Sequence, residues 1–262
     1  MSEIRLSISN IAWDKADDEQ IYAAMQQAGF SGLELAPTRI FPDAPYDNLS
    51  SAALFGAYLH SQYGLAVPSI QSIWYGQTGS IFVPEQAEAL LDYTAQAYQF
   101  AHALHCPSLV FGCPKNRMLP ENTDPRAADR FFDQAGTLAA RYGVRLAIEA
   151  NPPVYTNFLN GTRDAFDLVK RLGNPGLAVN FDLSTILSNG ERLRDFVDDL
   201  NHVSHVHISE PNLAPIIPRP EHQELAMLLK AVGYQGFVSI EMRKTEVETV
   251  LQTIQYVREV FA

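Results

Sequence analysis

Short apolar runs that read as strands recur eight times, each followed by a longer stretch that reads as a helix, and this strict alternation most narrows the folds open to the chain. Strands are expected at residues 4–9, 32–35, 66–72, 108–111, 145–149, 176–182, 202–207 and 236–241, and helices at 17–28, 50–63, 84–104, 124–142, 162–172, 191–200, 221–231 and 245–260. The first helix shows the basis of these assignments: Ile21, Ala24, Met25 and Ala28 share one face, and Gly29 ends it. Asp124-Pro125 likewise reads as a helix cap and first turn. Strand-helix-strand order makes the strands parallel, and eight such units in 262 residues match one closed barrel of about 250 residues. The expected fold class is therefore α/β, a single (β/α)8 TIM barrel domain over residues 1–262. An open doubly wound sheet is the rival, but no G-x-G-x-x-G turn follows the first strand. The loops after strands are the long ones, which puts the expected working face at the C-terminal ends of the strands.

A net charge of −11 and an isoelectric point near 5.0 argue against a large nucleic-acid or anionic-membrane footprint, because both need clustered Lys and Arg. The expected partner is a small molecule. Only Cys106 and Cys113 occur, too few for a disulfide scaffold, which points to a reducing cytoplasmic setting. The N-terminal Met-Ser-Glu-Ile-Arg runs straight into a strand without a signal-peptide pattern, and no apolar run approaches the ~18 residues of a membrane span. Cys113 lacks a recognisable His-Asp or His-Asn partner motif, and neither a G-x-x-x-x-G-K-[ST] loop nor a G-x-S-x-G elbow is present.

Four of the expected strands finish on residues able to ligate a metal or move a proton: Glu149, Asp182, His207 and Glu241. They follow one another at separations of 33, 25 and 34 residues, each about one strand-helix unit. Strand ends are rigid, so such side chains would be held at the mouth. One imidazole with three carboxylates makes a mostly oxygen shell suited to one divalent ion, Mn2+ favoured or Mg2+, with Co2+ and Zn2+ also compatible. Singly, each residue is as readily a loop cap or a satisfied core histidine; four in successive units are harder to explain that way.

These residues, with Gly32-Leu-Glu34-Leu35 and Pro37 at the second strand, resemble the xylose-isomerase-like TIM barrels, which include sugar and sugar-phosphate isomerases and epimerases. In tagatose-epimerase-like and inosose-processing members, the matching four positions bind one divalent metal and the two glutamates transfer protons. The resemblance implies that Glu149 and Glu241 form the acid/base pair, Asp182 and His207 complete the metal shell, and the reaction is isomerisation or epimerisation of a sugar or keto-sugar through an enediolate. The chain departs from the pattern where relatives often carry a histidine, here Thr185, a glutamate, here Tyr155, and an arginine, for which Leu213 and Arg219 are the nearest counterparts.

Around this core, candidate substrate contacts are Trp13 and Trp74 as apolar walls, Glu34 at the second strand, Lys115 and Arg117 as cations after the fourth strand, and Glu210, Asn212 and Arg219 in the loop beyond His207. Each also has a plainer reading as loop packing or a solvated polar group. Three rivals keep part of this frame: a metal-dependent dehydratase or lyase on a keto-polyol, a DNA-repair endonuclease on a related barrel, and a non-catalytic binding subunit. The endonuclease needs additional His and Asp ligands that the strand ends lack. Association into a homo-oligomer through outer helices or mouth loops is compatible with the sequence.

Overall fold

A computed structural model describes residues 3–261 of the chain. Seven parallel strands form one sheet: β1 Arg5–Ser9, β2 Gly32–Glu34, β3 Ser108–Phe111, β4 Arg145–Glu149, β5 Leu177–Asp182, β6 Val203–Ser209 and β7 Phe237–Glu241, in the order β2-β1-β7-β6-β5-β4-β3. The eighth strand, expected at 66–72, is present only as isolated parallel bridges, Gly32 to Ala66, Leu35 to Ile70 and Ile70 to Leu109. Pro68 interrupts it, since proline has no N–H to give to a ladder. The remaining bonds still link the sheet edges: Leu35 N donates to Ser69 O at 3.1 Å, and Ile70 N donates to Ser108 O at 3.0 Å. These bridges complete a (β/α)8 barrel.

Nine α-helices are present among the described residues: α1 Asp18–Gln27, α2 Pro37–Ile40, α3 Leu49–Tyr63, α4 Pro84–Ala103, α5 Asp129–Arg141, α6 Thr162–Leu172, α7 Leu183–Asn189, α8 Pro220–Ala231 and α9 Val247–Phe261. The helix expected at 191–200 is instead a run of 3-10 turns, Leu193–His202, preceded by the unexpected α7. Asp182 explains that short helix, because its carboxylate accepts from Thr185 N and caps it, and Gly190 stops it in the left-handed region at φ 63°. No described helix is long and apolar enough to cross a membrane.

Strand alternation sorts side chains into two environments. Leu6 and Ile8, Leu146 and Ile148, Val206 and Ile208, Val238 and Ile240 join the apolar core with helix residues such as Phe132, Phe166, Leu229 and Val257. The opposite parity is polar and equally buried: Ser7, Ser9, Asn180, His205, His207, Ser209 and Ser239. Bonds that cross the barrel, Ser69 to His205 and Glu34 to His207, show that this second set lines the lumen. The fold thus converts period-two alternation into an apolar jacket around a polar axis that opens at the strand ends.

Candidate active site

At that end, β4, β5, β6 and β7 bring Glu149, Asp182, His207 and Glu241 together, with one ligand atom from each within 4.8 Å of the others. His207 Nδ1 lies 3.2 Å from Glu149 Oε1 and 3.2 Å from Glu241 Oε2, so carboxylates from either side of β6 converge on one ring nitrogen. Asp182 is fixed by its surroundings: Oδ2 accepts from Ser184 Oγ at 2.9 Å and from Thr185 N and Oγ1 at 2.8 Å each, and Oδ1 accepts from the Ser209 hydroxyl. Glu149 accepts from Asn180 Nδ2 at 2.7 Å and from Asn151 Nδ2 at 3.1 Å, one on each oxygen.

The electrostatics are unbalanced in a telling way. Three carboxylates, that of Asp182 buried and those of Glu149 and Glu241 largely so, share one imidazole, and among the described residues no Lys or Arg forms an ion pair with them. Burial raises the Glu241 pKa to about 7; the charges of Glu149 and Asp182 add to this while His207 opposes it. Burial likewise raises Asp182, helped by the Glu149 charge. At Glu149, burial is outweighed by the hydrogen bond and charge of His207 with the two amides, and the pKa falls. His207 goes the other way: burial opposes its charge, but Glu34 and Glu241 hold its pKa well above the usual histidine value. A divalent ion fits this donor set. Ligand bonds of about 2.1 Å put neighbouring donor atoms ~3.0 Å apart and opposite ones ~4.2 Å apart, close to the spacings present, and the ion would replace the proton that the convergent carboxylates otherwise demand.

The remaining expected site residues divide by position. Trp13 is buried, donates Nε1–H to Asp18 at 2.8 Å, and lines a cavity of about 850 Å³ whose wall also includes Arg39, Ser72, Tyr75 and Lys244. That cavity occupies the β1–β2 side of the mouth and its lining excludes the four-residue cluster, so the candidate chemistry is located by ligand geometry rather than by this hollow. Trp74 packs edge-on against Phe111 and donates to Thr94 at 2.8 Å, inside the core. Lys115 is exposed.

Arg117, expected from sequence as a substrate-contacting cation with a solvated loop as the plainer reading, is instead fully buried: Nη1 donates to the Glu149 carbonyl and Nη2 to Asn151 Oδ1, both at 2.8 Å. Burial lowers its pKa to about 10, which leaves it charged at neutral pH. It braces the end of β4 and, through Asn151, the Glu149 carboxylate. Glu210 and Arg219 engage each other in a two-pronged pair at 2.6 Å per bond, and Asn212 accepts from the Tyr155 hydroxyl at 3.0 Å, tying two mouth loops together. Glu34 lies inside the lumen, 3.0 Å from His207 Nε2. Thr185, where relatives often carry histidine, is buried beneath Asp182 and shares its hydroxyl proton between that carboxylate and the Ala150 carbonyl.

Asn151, Asn180, Ser209 and His205 escaped the sequence reading. For three of them the signal was parity: Asn180 is two residues before Asp182, and His205 and Ser209 flank His207 at the same spacing, so each shares its neighbour's inward face.

Comparison with known proteins adds an independent line. A Mus musculus protein provisionally named hydroxypyruvate isomerase is 25% identical over 265 residues, covering 93% of this chain and 91% of its own. The structure of D-psicose 3-epimerase with D-tagatose from Clostridium cellulolyticum H10 superposes with a TM-score of 0.79 at 14% identity, covering 98% of this chain and 99% of the other. The apo structure of the 3-keto-D-glucoside 4-epimerase of E. coli also gives 0.79, at 17% identity and with 98% and 100% covered. Both establish likeness of fold. The profile of the xylose isomerase-like TIM barrels matches residues 22–260, nearly the whole length, and the chain belongs to that family.

Proposed function

We propose that the protein is a divalent-metal-dependent isomerase or epimerase acting on a sugar, keto-sugar or polyol-derived carbonyl compound. The observation that carries this reading is the disposition of Glu149 and Glu241: they meet His207 Nδ1 from opposite sides, and their side chains remain 12% and 13% exposed while that of His207 is 0% exposed. Two carboxylates thus reach the mouth, and two other donors, Asp182 and His207, stay buried behind them. Family membership and the hydroxypyruvate isomerase relative support the same reaction class.

Glu149, Asp182, His207 and Glu241 would hold the ion. Bound there, Mn2+ or a similar ion supplies Lewis acidity toward a carbonyl and its neighbouring hydroxyl, making the carbon-bound proton between them easier to remove. The chain supplies the proton handling. One glutamate oxygen accepts the proton from its face of the substrate, and the other glutamate delivers a proton either to the opposite face of that carbon or to the adjacent one. The first outcome inverts a stereocentre; the second exchanges aldose and ketose. Asn151 and Asn180 hold the Glu149 carboxylate by one oxygen each, and Ser184, Thr185 and Ser209 hold Asp182, so little reorganisation is needed during transfer.

The test is incubation of Mn2+-loaded protein with a panel of keto-sugars and hydroxypyruvate in D2O, read by NMR and mass spectrometry. The reading expects solvent deuterium in isomers of unchanged elemental composition, with loss of exchange in Glu149→Gln and Glu241→Gln. Products short by one water would establish the dehydratase instead, and no exchange with any carbonyl substrate would favour the binding-subunit alternative.

A further inference from the structure

Glu34 is the last residue of β2, yet its carboxylate is wholly buried in the barrel lumen. Its Oε2 lies 3.0 Å from His207 Nε2 and 2.7 Å from His205 Nε2, and it also accepts from the Ser69 hydroxyl. Ser69 Oγ is itself 2.9 Å from His205 Nε2. The second oxygen, Oε1, is buried with no hydrogen-bond partner among the described residues. One carboxylate oxygen therefore gathers three contacts from two other segments of the barrel wall.

An ionised carboxylate only accepts hydrogen bonds, so the imidazole nitrogen facing it at 3.0 Å must carry a proton. A neutral imidazole has one proton to place. With that proton on Nε2, the lone pair sits on Nδ1, the atom 3.2 Å from both Glu149 and Glu241. With a cation held by Glu149 and Glu241 facing Nδ1, only the other tautomer would still point a lone pair at a carboxylate, that of Glu34, and it would put its proton on the atom needed as ligand.

We infer that Glu34 is a positioning residue: through His207 Nε2–H it fixes the tautomer and ring orientation of His207 so that Nδ1 presents its lone pair to the cluster at the mouth. The inference rests on that cluster being a divalent-cation site. It also gives Glu34 work other than the substrate contact expected from its strand-end position. Ser69 and His205 contact the same carboxylate oxygen that faces His207, so the ring is braced from across the lumen by a carboxylate that is itself held in place. Partners of this kind orient metal-binding histidines and raise their basicity, and their loss weakens metal affinity about 10- to 100-fold.

Glu34, His205 and His207 could also be grouped as ligands of a second cation. That arrangement would need His207 to bind ions through both ring nitrogens, and hence to lose its last ring proton. The hydrogen-bonded arrangement needs no such loss.

Two measurements test the inference. The first is Zn2+ titration against a chromophoric chelator, with thermal melts to confirm folding, on wild type, Glu34→Gln and Ser69→Ala. The second is the 15N–1H correlation of the His207 ring in Zn2+-loaded wild type, which reads the protonated nitrogen directly and does not depend on any variant folding. Expected are one Zn2+ per wild-type chain, a proton on His207 Nε2 and none on Nδ1, and affinity about 10- to 100-fold weaker in a folded Glu34→Gln, with a smaller loss in Ser69→Ala. Wild type with one Zn2+ but an unprotonated Nε2, or Glu34→Gln with unchanged affinity, would overturn the positioning role and leave the proposed function standing. Two Zn2+ per wild-type chain, one of them lost in Glu34→Gln, would replace it with a second ion site. A wild type that takes up no ion would overturn both.

Discussion

Gly112→Ala separates the chemistry of the cluster from the stability of the fold. Gly112 follows β3, and a Cβ built on it would stand 2.8 Å from Glu149 Oε2, with Asn151 Oδ1 next at 3.6 Å. An ordinary carbon–oxygen contact is roughly 3.5 Å, so the carboxylate must retreat by about 0.7 Å. Glu149 is held by Asn151 at 3.1 Å and Asn180 at 2.7 Å, and a retreat lengthens at least one of these bonds while moving Oε1 relative to His207. The clash is with the end of a side chain rather than with backbone, so it is relieved locally. Folding stability should change by no more than about 1 kcal/mol, since removing a glycine also restricts the unfolded chain. Catalysis is less forgiving, because misplacing a reacting group by ~1 Å costs about 100-fold; a shift of this size predicts a 10- to 100-fold fall, about 1.4–2.7 kcal/mol in the barrier. The assay is the initial rate of solvent-deuterium incorporation at saturating Mn2+, alongside a urea unfolding curve. A variant that exchanges at the wild-type rate would refute the role assigned to Glu149, and one that unfolds outright would refute the local relief of the clash.

Two further outcomes follow from the same geometry. Burial raises the Glu241 carboxyl to about 7 in the metal-free protein, so its protonated form is favoured on folding. The associated stability is complete below the ordinary carboxylate range and disappears as pH rises through about 7, where an added cation would take the place of the proton. The rise in Tm caused by saturating Mn2+ should therefore be larger at pH 8 than at pH 5.5, and an equal or larger rise at pH 5.5 would contradict this. Gly176→Ala perturbs the scaffold instead: its Cβ would lie 1.9 Å from the Gly136 carbonyl oxygen and 2.9 Å from Ala140 N, both backbone atoms of α5. Helix and strand must separate, so urea unfolding should show a loss of about 3 kcal/mol or more, and a loss under ~1 kcal/mol would show that α5 moves freely.

Much of the scaffold could be read from the chain because alternation of apolar runs and amphipathic stretches is a local signal. Glu149, Asp182 and Glu241 were visible for the same reason, each closing a strand, and His207 lies near the end of its own. What escaped depends on contacts between distant segments. The burial of Arg117 requires β4 to end beside the loop after β3, and nothing in Lys115-Asn116-Arg117 itself announces that. Glu34 and His207 meet across 173 residues of sequence, so the lumen network becomes visible only when the barrel is assembled. The apolar residues of 66–72 predict a full strand, but Pro68 forbids an unbroken ladder, and only bridges at Ala66 and Ile70 form. The short helix after β5 is hard to see in sequence because the Asp182 carboxylate both caps it and faces the cluster, and seven residues give little periodicity.

The most direct test of the account is the number of divalent ions per chain, measured by elemental analysis after Mn2+ supplementation and chelator-free purification, for wild type, Asp182→Asn and His207→Ala in parallel. The account predicts about one ion per wild-type chain and a large loss in both folded variants, since each removes a donor from a four-residue shell. Wild-type protein that retains no ion, or variants that retain as much as wild type, would contradict it.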